Sequence, residues 1–374
     1  MITNRVLYVS PVYKPAIGGG VVYIEMLAKY CVSSGQVEKF TILTEKFPSM
    51  PAAECDESGS VEIRRLFPFR AGKSLRSMSS YIAYLIQNFQ YLFIPFILYK
   101  QSKDVFIVHS SLHNNINVLP VVLYFIRLFM PHIKCVVDIR DPKLPVKSYW
   151  QLRTYHLILS CSENITSKLK KKSNFGDRVL QIPIPVENFT PTKTQIDDVQ
   201  SCYGALGLKY IFLGSGSSVE KGVVSAMGVM QELRSRGHAV SILIAGKQRY
   251  WDSQMEQAKK EGWLIYLDQI PHSDVIILAA GAWVDLNLST VDSLPRHSLE
   301  VLVAGGKALL PDNVPEFTRW CPDSVARRSD VVMLANQIEI IGDAIGVHCE
   351  YPSNEHFPDA AFKKIDVIFN SDLI

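Results

Sequence analysis

Short apolar runs alternate with stretches of helical periodicity along this chain, and the alternation happens twice. In the first half, Arg5 to Ser10 reads as a strand, Pro11 to Gly20 as a loop, and Val21 to Val32 as a helix with Ile24, Leu27, Ala28 and Cys31 on one face. Lys39 to Thr44 is the next strand. Ser74 to Lys100 reads as long helical material, and Val105 to His109, Cys135 to Ile139 and Leu157 to Cys161 are further buried strands. This is the alternation of a doubly wound α/β sheet. It stops at Pro183, Pro185 and Pro191, where the polar stretch Thr192 to Gln200 reads as a linker and the first helix of a second domain. The pattern then restarts with strands over Tyr210 to Gly214, Ala239 to Ala245, Leu264 to Leu267, Trp283 to Leu288 and Ala308 to Leu310, and a helix over Lys221 to Arg236. The 374 residues thus divide into a first domain over 1–186, a second over 187–352 and a closing segment over 353–374. Within that last segment, Ala360 to Ile374 reads as a helix returning toward the first domain. Two such sheets joined by a linker predict a cleft, with ligands outside the carboxyl ends of the strands.

Composition removes several classes of function. A net charge of +3 is nearly neutral and argues against nucleic acid as a partner, which calls for a strongly basic face. The seven cysteines are scattered singly with no Cys-x-x-Cys, which reads as reduced thiols in a cytoplasmic protein. Met1 to Ser10 lacks the pattern of a secretory signal, and no apolar run reaches membrane-spanning length. No His/Cys/Asp cluster has metal-ligand spacing, and Asp138-x-x-Asp141 is not the Asp-x-Asp of metal-dependent sugar transfer.

The chemistry concentrates in Ser289 to Lys307. It reads as the end of a strand, a tight loop, a helix and a glycine stop. Asp292 or Ser293 is placed to cap the helix, Pro295 suits its first turn, and Gly305-Gly306 ends it. A helix start offers unpaired N–H groups and the positive end of a dipole, which together suit a phosphate. Asp292 stands just before that start and Glu300 on the helix body, so two carboxylates that can accept from sugar hydroxyls flank one anion site. Without more context the same segment also reads as an ordinary capped helix with a surface glutamate.

The segment resembles the motif of the large retaining glycosyltransferase family with the GT-B fold (glycosyl transferases group 1, family four, of the polysaccharide and O-antigen type), roughly Glu-Gly-x-Pro-x-x-x-x-Glu-Ala-x-Ala-x-Gly-x-Pro. Asp292 stands where the first Glu is expected and Ser293 where Gly is, while Pro295, Arg296, Leu299, Glu300, Ala304 and Gly306 match in place or nearly so. The resemblance implies an α/β GT-B fold of two Rossmann-like domains. It also implies that Glu300 accepts the ribose hydroxyls of a nucleotide, that Asp292 accepts a sugar hydroxyl, and that Ser293, Leu294 and Pro295 lie at the diphosphate. The stretch Gln181 to Phe189 is similar to the family's inter-domain turn.

Other segments fall into place beside it. Gly18-Gly19-Gly20 follows the first strand; Tyr23 occupies the last position of Gly-x-Gly-x-x-Gly and disfavours a nicotinamide dinucleotide. The family has a Gly-Gly pair here facing the donor, which assigns Gly19 and Gly20, although a plain turn accounts for them too. Gly214 to Gly222 resembles the family's Gly-Arg-x-x-x-x-Lys-Gly. Lys221-Gly222 match, and Ser215, Gly216 and Ser217 occupy the region of the Arg. Lys221 is thereby assigned to the departing diphosphate, with Ser217 or backbone N–H groups in place of the missing cation. Gly246 matches a family turn, and backbone near Ile270 matches the loop that lines the nucleobase. Asp141, at the end of the strand Val137 to Ile139, is a further catalytic candidate near the transferred sugar; Arg140 and His109 are alternatives. Arg70, Lys73 and Arg76 precede the aromatic stretch Tyr81 to Tyr99, and Lys168, Lys170, Lys171 and Lys172 form a basic run, a combination suited to an anionic membrane surface.

The sequence reading is therefore a cytoplasmic glycosyltransferase, peripheral on the inner face of the cell membrane. It would use a nucleoside-diphosphate sugar as co-substrate with no metal and no cofactor, and transfer to a glycan or lipid-linked acceptor with retention, in cell-surface polysaccharide synthesis. A GT-B-shaped scaffold without turnover and a sugar-nucleotide epimerase are the alternatives.

Overall fold

The structure, a computed structural model, describes residues 4–10, 13–15, 18–46, 50–68, 92–101, 103–109, 119–140, 149–172, 175–326, 330–344 and 349–370. The chain divides into two compact units, Met1–Pro185 with Pro358–Ile374, and Val186–Phe357.

The first unit holds an eight-stranded sheet of β1 (Asn4–Val9), β2 (Val37–Lys46), β3 (Ala53–Cys55), β4 (Val61–Pro68), β5 (Val105–His109), β6 (Lys134–Ile139), β7 (Leu157–Ser160) and β8 (Val179–Gln181). Its order is β3-β4-β2-β1-β5-β6-β7-β8. All neighbours are parallel except the antiparallel pair β3–β4. The inner strands β1, β5 and β6 bury nearly every side chain, as parallel strands covered on both faces do. The first helix, Gly19–Ser33, buries Val21, Ile24, Leu27, Ala28 and Cys31 at the expected helical spacing. The two last helices, Pro358–Lys363 and Asp366–Asn370, and the turn between them add Phe362, Ile368 and Ile365 to the same core. Phe362 sits 5.6 Å from the ring of Tyr23, Tyr30 Oη donates to Asp366 at 3.1 Å, and Lys134 Nζ donates to the carbonyl of Ile368 at 2.9 Å.

Strand β4 was not legible in the sequence because its charges disguise it. Glu62 pairs with Lys39 and Arg64, and the fully buried Arg65 donates to Glu54 at 2.6 Å. Of the long helical stretch expected over Ser74 to Lys100, residues up to Tyr91 lie outside the described residues, and Ile94–Lys100 is helical.

The second unit holds a wholly parallel six-stranded sheet of β9 (Tyr210–Leu213), β10 (Ser241–Ala245), β11 (Leu264–Leu267), β12 (Val284–Leu286), β13 (Ala308–Pro311) and β14 (Val325–Ala326). Its order, β11-β10-β9-β12-β13-β14, runs outward from β9 on one side and from β12 on the other. The direction of winding reverses between these two strands, and the crevice at such a reversal is where open α/β sheets bind ligands. The unit's first helix, Lys193–Cys202, opens with a reciprocal capping box of Thr192 and Gln195.

The expectation that all cysteines stand alone is corrected in this unit. Cys321 and Cys349 form a disulfide with Cα atoms 4.4 Å apart. The helix Pro315–Trp320 and the chain at Glu350 meet there, with Glu350 N–H donating to the carbonyl of Trp320 at 2.8 Å, so residues 28 positions apart become neighbours.

Candidate functional site

Two loops leave the sheet of the second unit at its reversal point, one after β9 and one after β12. The loop after β9 is built on glycines that nothing larger can replace. A Cβ on Gly214 would fall 2.6 Å from the ring of His297, and one on Gly216, at φ +75°, would fall 2.7 Å from the carbonyl oxygen of Lys247. Ser217 is buried, and its carbonyl accepts from Arg249 and Tyr250 at 2.9 and 2.8 Å, while its hydroxyl accepts from the Arg249 N–H at 3.3 Å. The loop is thus stitched to the turn after β10, where Gly246 at φ +115° rests on the backbone of Gly216. A single 3-10 turn, Val219–Lys221, follows. Gly222 then adopts φ +86° with its α-carbon against Leu288, and the helix runs over Val223–Ser235. The helix expected to begin at Lys221 therefore begins two residues later, because the left-handed Gly222 interrupts it.

The loop after β12 carries Asp292. The Ser289 hydroxyl accepts from the N–H groups of Val291 and Asp292 at 3.4 and 3.3 Å, and Thr290 N–H donates to the carbonyl of Glu220 at 3.0 Å. These bonds bring the two loops together. Lys221 Nζ lies 2.6 Å from both carboxylate oxygens of Asp292, in a pair about one quarter exposed (27% and 26%). With its carboxylate so engaged, Asp292 is not the helix cap, and neither is Ser293. Pro295, in extended geometry at ψ 117°, is the residue before the helix, which runs over Arg296–Val303 with no side-chain cap. Ser293 and Leu294 are buried between Asp292 and that start, and Gly305 ends the helix region at φ +79°.

Glu300 is buried and is held by two side chains, Arg296 and His272. Its Oε1 accepts from Arg296 Nε at 2.7 Å and bonds His272 Nε2 at 2.9 Å. Its Oε2 is buried and has no hydrogen-bond partner among the described residues. Burial alone would push this carboxyl up, but the His272 hydrogen bond and the charges of Arg296, His272 and His297 hold it below the usual carboxylate range. Tyr351 registers the same charge: burial first, then Glu300, raises its phenol far above the ordinary value. One turn earlier on the helix, His297 Nε2 bonds the fully buried Asp285 of β12 at 2.9 Å. Burial works against the imidazolium, yet the charge and hydrogen bond of Asp285 raise the pKa of His297. A cation, Lys221, an anion, Asp292, and a buried carboxylate with a spare oxygen thus stand on the two loops and one helix at the reversal point.

No protein-family model and no curated protein sequence matches this chain. Solved structures do. A glycosyltransferase from Rickettsia africae superposes with a TM-score of 0.72 at 13% identity, covering 99% of this chain and 100% of the other. An α,α-trehalose-phosphate synthase (UDP-forming) from Burkholderia xenovorans, in complex with glucose-6-phosphate, superposes with a TM-score of 0.70 at 12% identity over 98% of this chain and 100% of that one. The HepE protein of Anabaena, in complex with UDP and glucose, gives 0.66 at 14% over 98% and 96%. The fold is GT-B.

In this GT-B chain, most of the residues singled out in the sequence fall in the second unit. Lys221 meets Asp292; Glu300 stands on the helix that follows Pro295; Ile270 lies two residues before His272, which holds Glu300; and Gly246 and Ser217 form the neighbouring stitched turn. Gly19 and Gly20 open the first helix of the other unit, where a Cβ on Gly20 would meet nothing within 4 Å. Asp141 lies outside the described residues, as do Arg70, Lys73, Arg76 and Tyr81. Arg140 is taken up internally: its Nε donates to the buried Asp138 at 2.8 Å and its guanidinium lies 3.4 Å over the ring of Tyr23. His272, His297, Asp285 and Tyr351 were missed by sequence reasoning. Asp285 had a usable signal, a lone carboxylate inside an apolar strand, which has to find a buried partner.

Proposed function

We propose that the chain transfers a sugar from a nucleoside-diphosphate sugar to a glycan or lipid-linked acceptor, with retention at the anomeric carbon. The observation that carries this reading is the Lys221–Asp292 pair at the reversal point of the sheet, beside a buried Glu300 whose second oxygen is left for a ligand hydroxyl. The GT-B fold and the UDP-forming or UDP-bound enzymes among its structural neighbours support a uridine nucleotide as donor. The donor is a co-substrate, and the reading needs neither metal nor cofactor.

The reaction breaks the bond between the anomeric carbon and a diphosphate oxygen, which leaves with the electron pair and takes up the proton of the acceptor hydroxyl, while the acceptor oxygen bonds that carbon. Charge develops on the departing diphosphate, so groups aimed at it count for more than a strong base. Lys221 is tied to Asp292 before the donor arrives. A diphosphate draws the ammonium away, which frees the carboxylate for a sugar hydroxyl. Binding and priming are then one event. Glu300, ionised and held by Arg296 and His272, accepts from the ribose through Oε2. Acting in the cytoplasm on lipid-linked acceptors, such an enzyme would serve cell-surface polysaccharide synthesis.

The test is calorimetric titration with UDP-, GDP-, ADP- and dTDP-sugars, followed by donor turnover. Glu300→Gln keeps an acceptor for Arg296, so it should fold, and it should lose about 10- to 100-fold in donor affinity, the worth of hydrogen bonds to a charged group. Unchanged affinity in that variant would remove Glu300 from the site. The second reading, a scaffold without turnover, draws on Ser215, Gly216 and Ser217 standing where the family has an arginine. Nucleotide binding with neither hydrolysis nor transfer would favour it.

A further inference from the structure

Among the described residues, the first unit exposes a concentration of large apolar side chains on two helices that pack against each other, Ile94–Lys100 and Leu119–Phe129. The second of these is apolar on both sides. Val122, Leu123 and Ile126 face the core, while Val121, Tyr124, Phe125, Leu128 and Phe129 are exposed at spacings of three and four residues, which makes a continuous outer face. Val121, in the first turn, is 62% exposed, although valine is among the residues most often buried. The shorter helix repeats the arrangement: Ile94 and Leu98 are buried, and Phe93, Phe96 and Tyr99 point outward, Tyr99 at 75% exposure. Apolar surface gathered in this way marks an interaction site.

The charge around these helices selects the partner. Between Glu62 and Asp138 the sequence contains a single acidic residue, Asp104, in a chain with 36 acidic residues in all. Asp104 accepts from the backbone N–H of Arg5 at 2.7 Å, at the opposite end of β5 from His109. Among the described residues, Lys100, Arg127 and Arg178 have no carboxylate partner. Lys100 Nζ lies 5.9 Å over the Phe96 ring. Arg127 donates to the carbonyls of Arg153 and Thr154, and Arg178 to those of Arg153 and Tyr155, so their charges are not neutralised. A second copy of this chain on the same face would cover Lys100 and Arg127 with a surface of the same apolar and cationic character, at a cost from like charges. An anionic lipid surface accepts both the aromatic side chains and the cations. Neither helix is long and apolar enough to cross a membrane, so the contact is one of lying on the surface.

We propose that the outer face of Ile94–Lys100 and Leu119–Phe129 is the surface by which this protein docks on an anionic bilayer. Phe96, Tyr99, Tyr124 and Leu128 enter the headgroup boundary, and Lys100 and Arg127 meet lipid phosphates. The inference stands on the first unit alone and does not depend on the donor chemistry of the second.

Flotation of the full chain with phosphatidylcholine vesicles, with and without phosphatidylglycerol, tests it. Binding should need the anionic lipid and weaken with added salt. Tyr124→Asp with Leu128→Asp, both on the solvent side, should lower vesicle binding more than tenfold with an unchanged circular dichroism spectrum. Lys100→Gln should lower it about fivefold, the share of one near-surface cation. Phe125→Trp should show a blue-shifted emission with anionic vesicles. No binding to anionic vesicles, or equal binding to neutral ones, overturns the proposal. So does a concentration-dependent dimer, seen by sedimentation and abolished by Leu128→Asp, that binds no vesicles.

Discussion

Each unit sets an ion pair against the carboxyl ends of its central strands, and the two pairs differ in what is left for anything else to do. In the first unit Asp138 ends β6 with no exposure at all. Its oxygens take Arg140 Nε and Tyr8 Oη, both at 2.8 Å, and the guanidinium stacks on Tyr23. Burial and then the Asp138 charge push the Tyr8 phenol well above its ordinary value. In the second unit Lys221 and Asp292 sit about one quarter exposed, and among the described residues their side chains bond each other. A buried pair cannot open without stranding a charge. A pair one quarter exposed can be exchanged for a ligand at lower cost. Position in the topology is alike; solvation sets the two pairs apart.

The sharpest way to break this contrast is to remove one partner from each pair. Asp138→Ala should cost about 3–5 kcal/mol in denaturant unfolding, because Arg140 is left buried and uncompensated. A smaller loss would mean that the two pairs are energetically alike. Lys221→Ala should change stability by no more than about 1 kcal/mol. It should also slow sugar transfer about 10²- to 10³-fold, the usual worth of one group aimed at developing charge. Transfer that survives the change would make Lys221 a second scaffold residue.

The glycines repeat the contrast on a smaller scale. In the second unit, Gly222→Ala puts a Cβ 2.4 Å from that of Leu288 at φ +86°, and should destabilise by about 1–3 kcal/mol as judged from thermal unfolding. In the first unit Gly20→Ala meets open space and should fall within about 0.5 kcal/mol of the parent. A full effect there would show the opening turn to be as tightly built as its counterpart.

A pH series separates the paired histidine from both. His297 has a raised pKa in the fold, so the stability it contributes is complete below its ordinary value of about 6.5 and fades as pH climbs through the folded value. The melting-temperature gap between the parent and His297→Gln should therefore be widest in mild acid and narrow toward alkaline pH. A gap that widens with pH would contradict the Asp285 pairing.

Sequence by itself settled the α/β alternation and the restart after the prolines. These follow from local rules: apolar runs for buried strands, helical spacing for helices, and glycine and proline for turns. It missed β4, whose charges are neutralised by partners from β2 and β3, because a lone strand does not show who will pair with it. It placed the helix cap on Asp292 or Ser293, whereas the folded chain gives the Asp292 carboxylate to Lys221, 71 residues away in sequence, and leaves the helix without a side-chain cap. It left Asp285, His272 and His297 unassigned and the cysteines apart. Tertiary structure alone decided those matters, because a side chain's role depends on which neighbours share its burial, and only the folded chain brings those neighbours together.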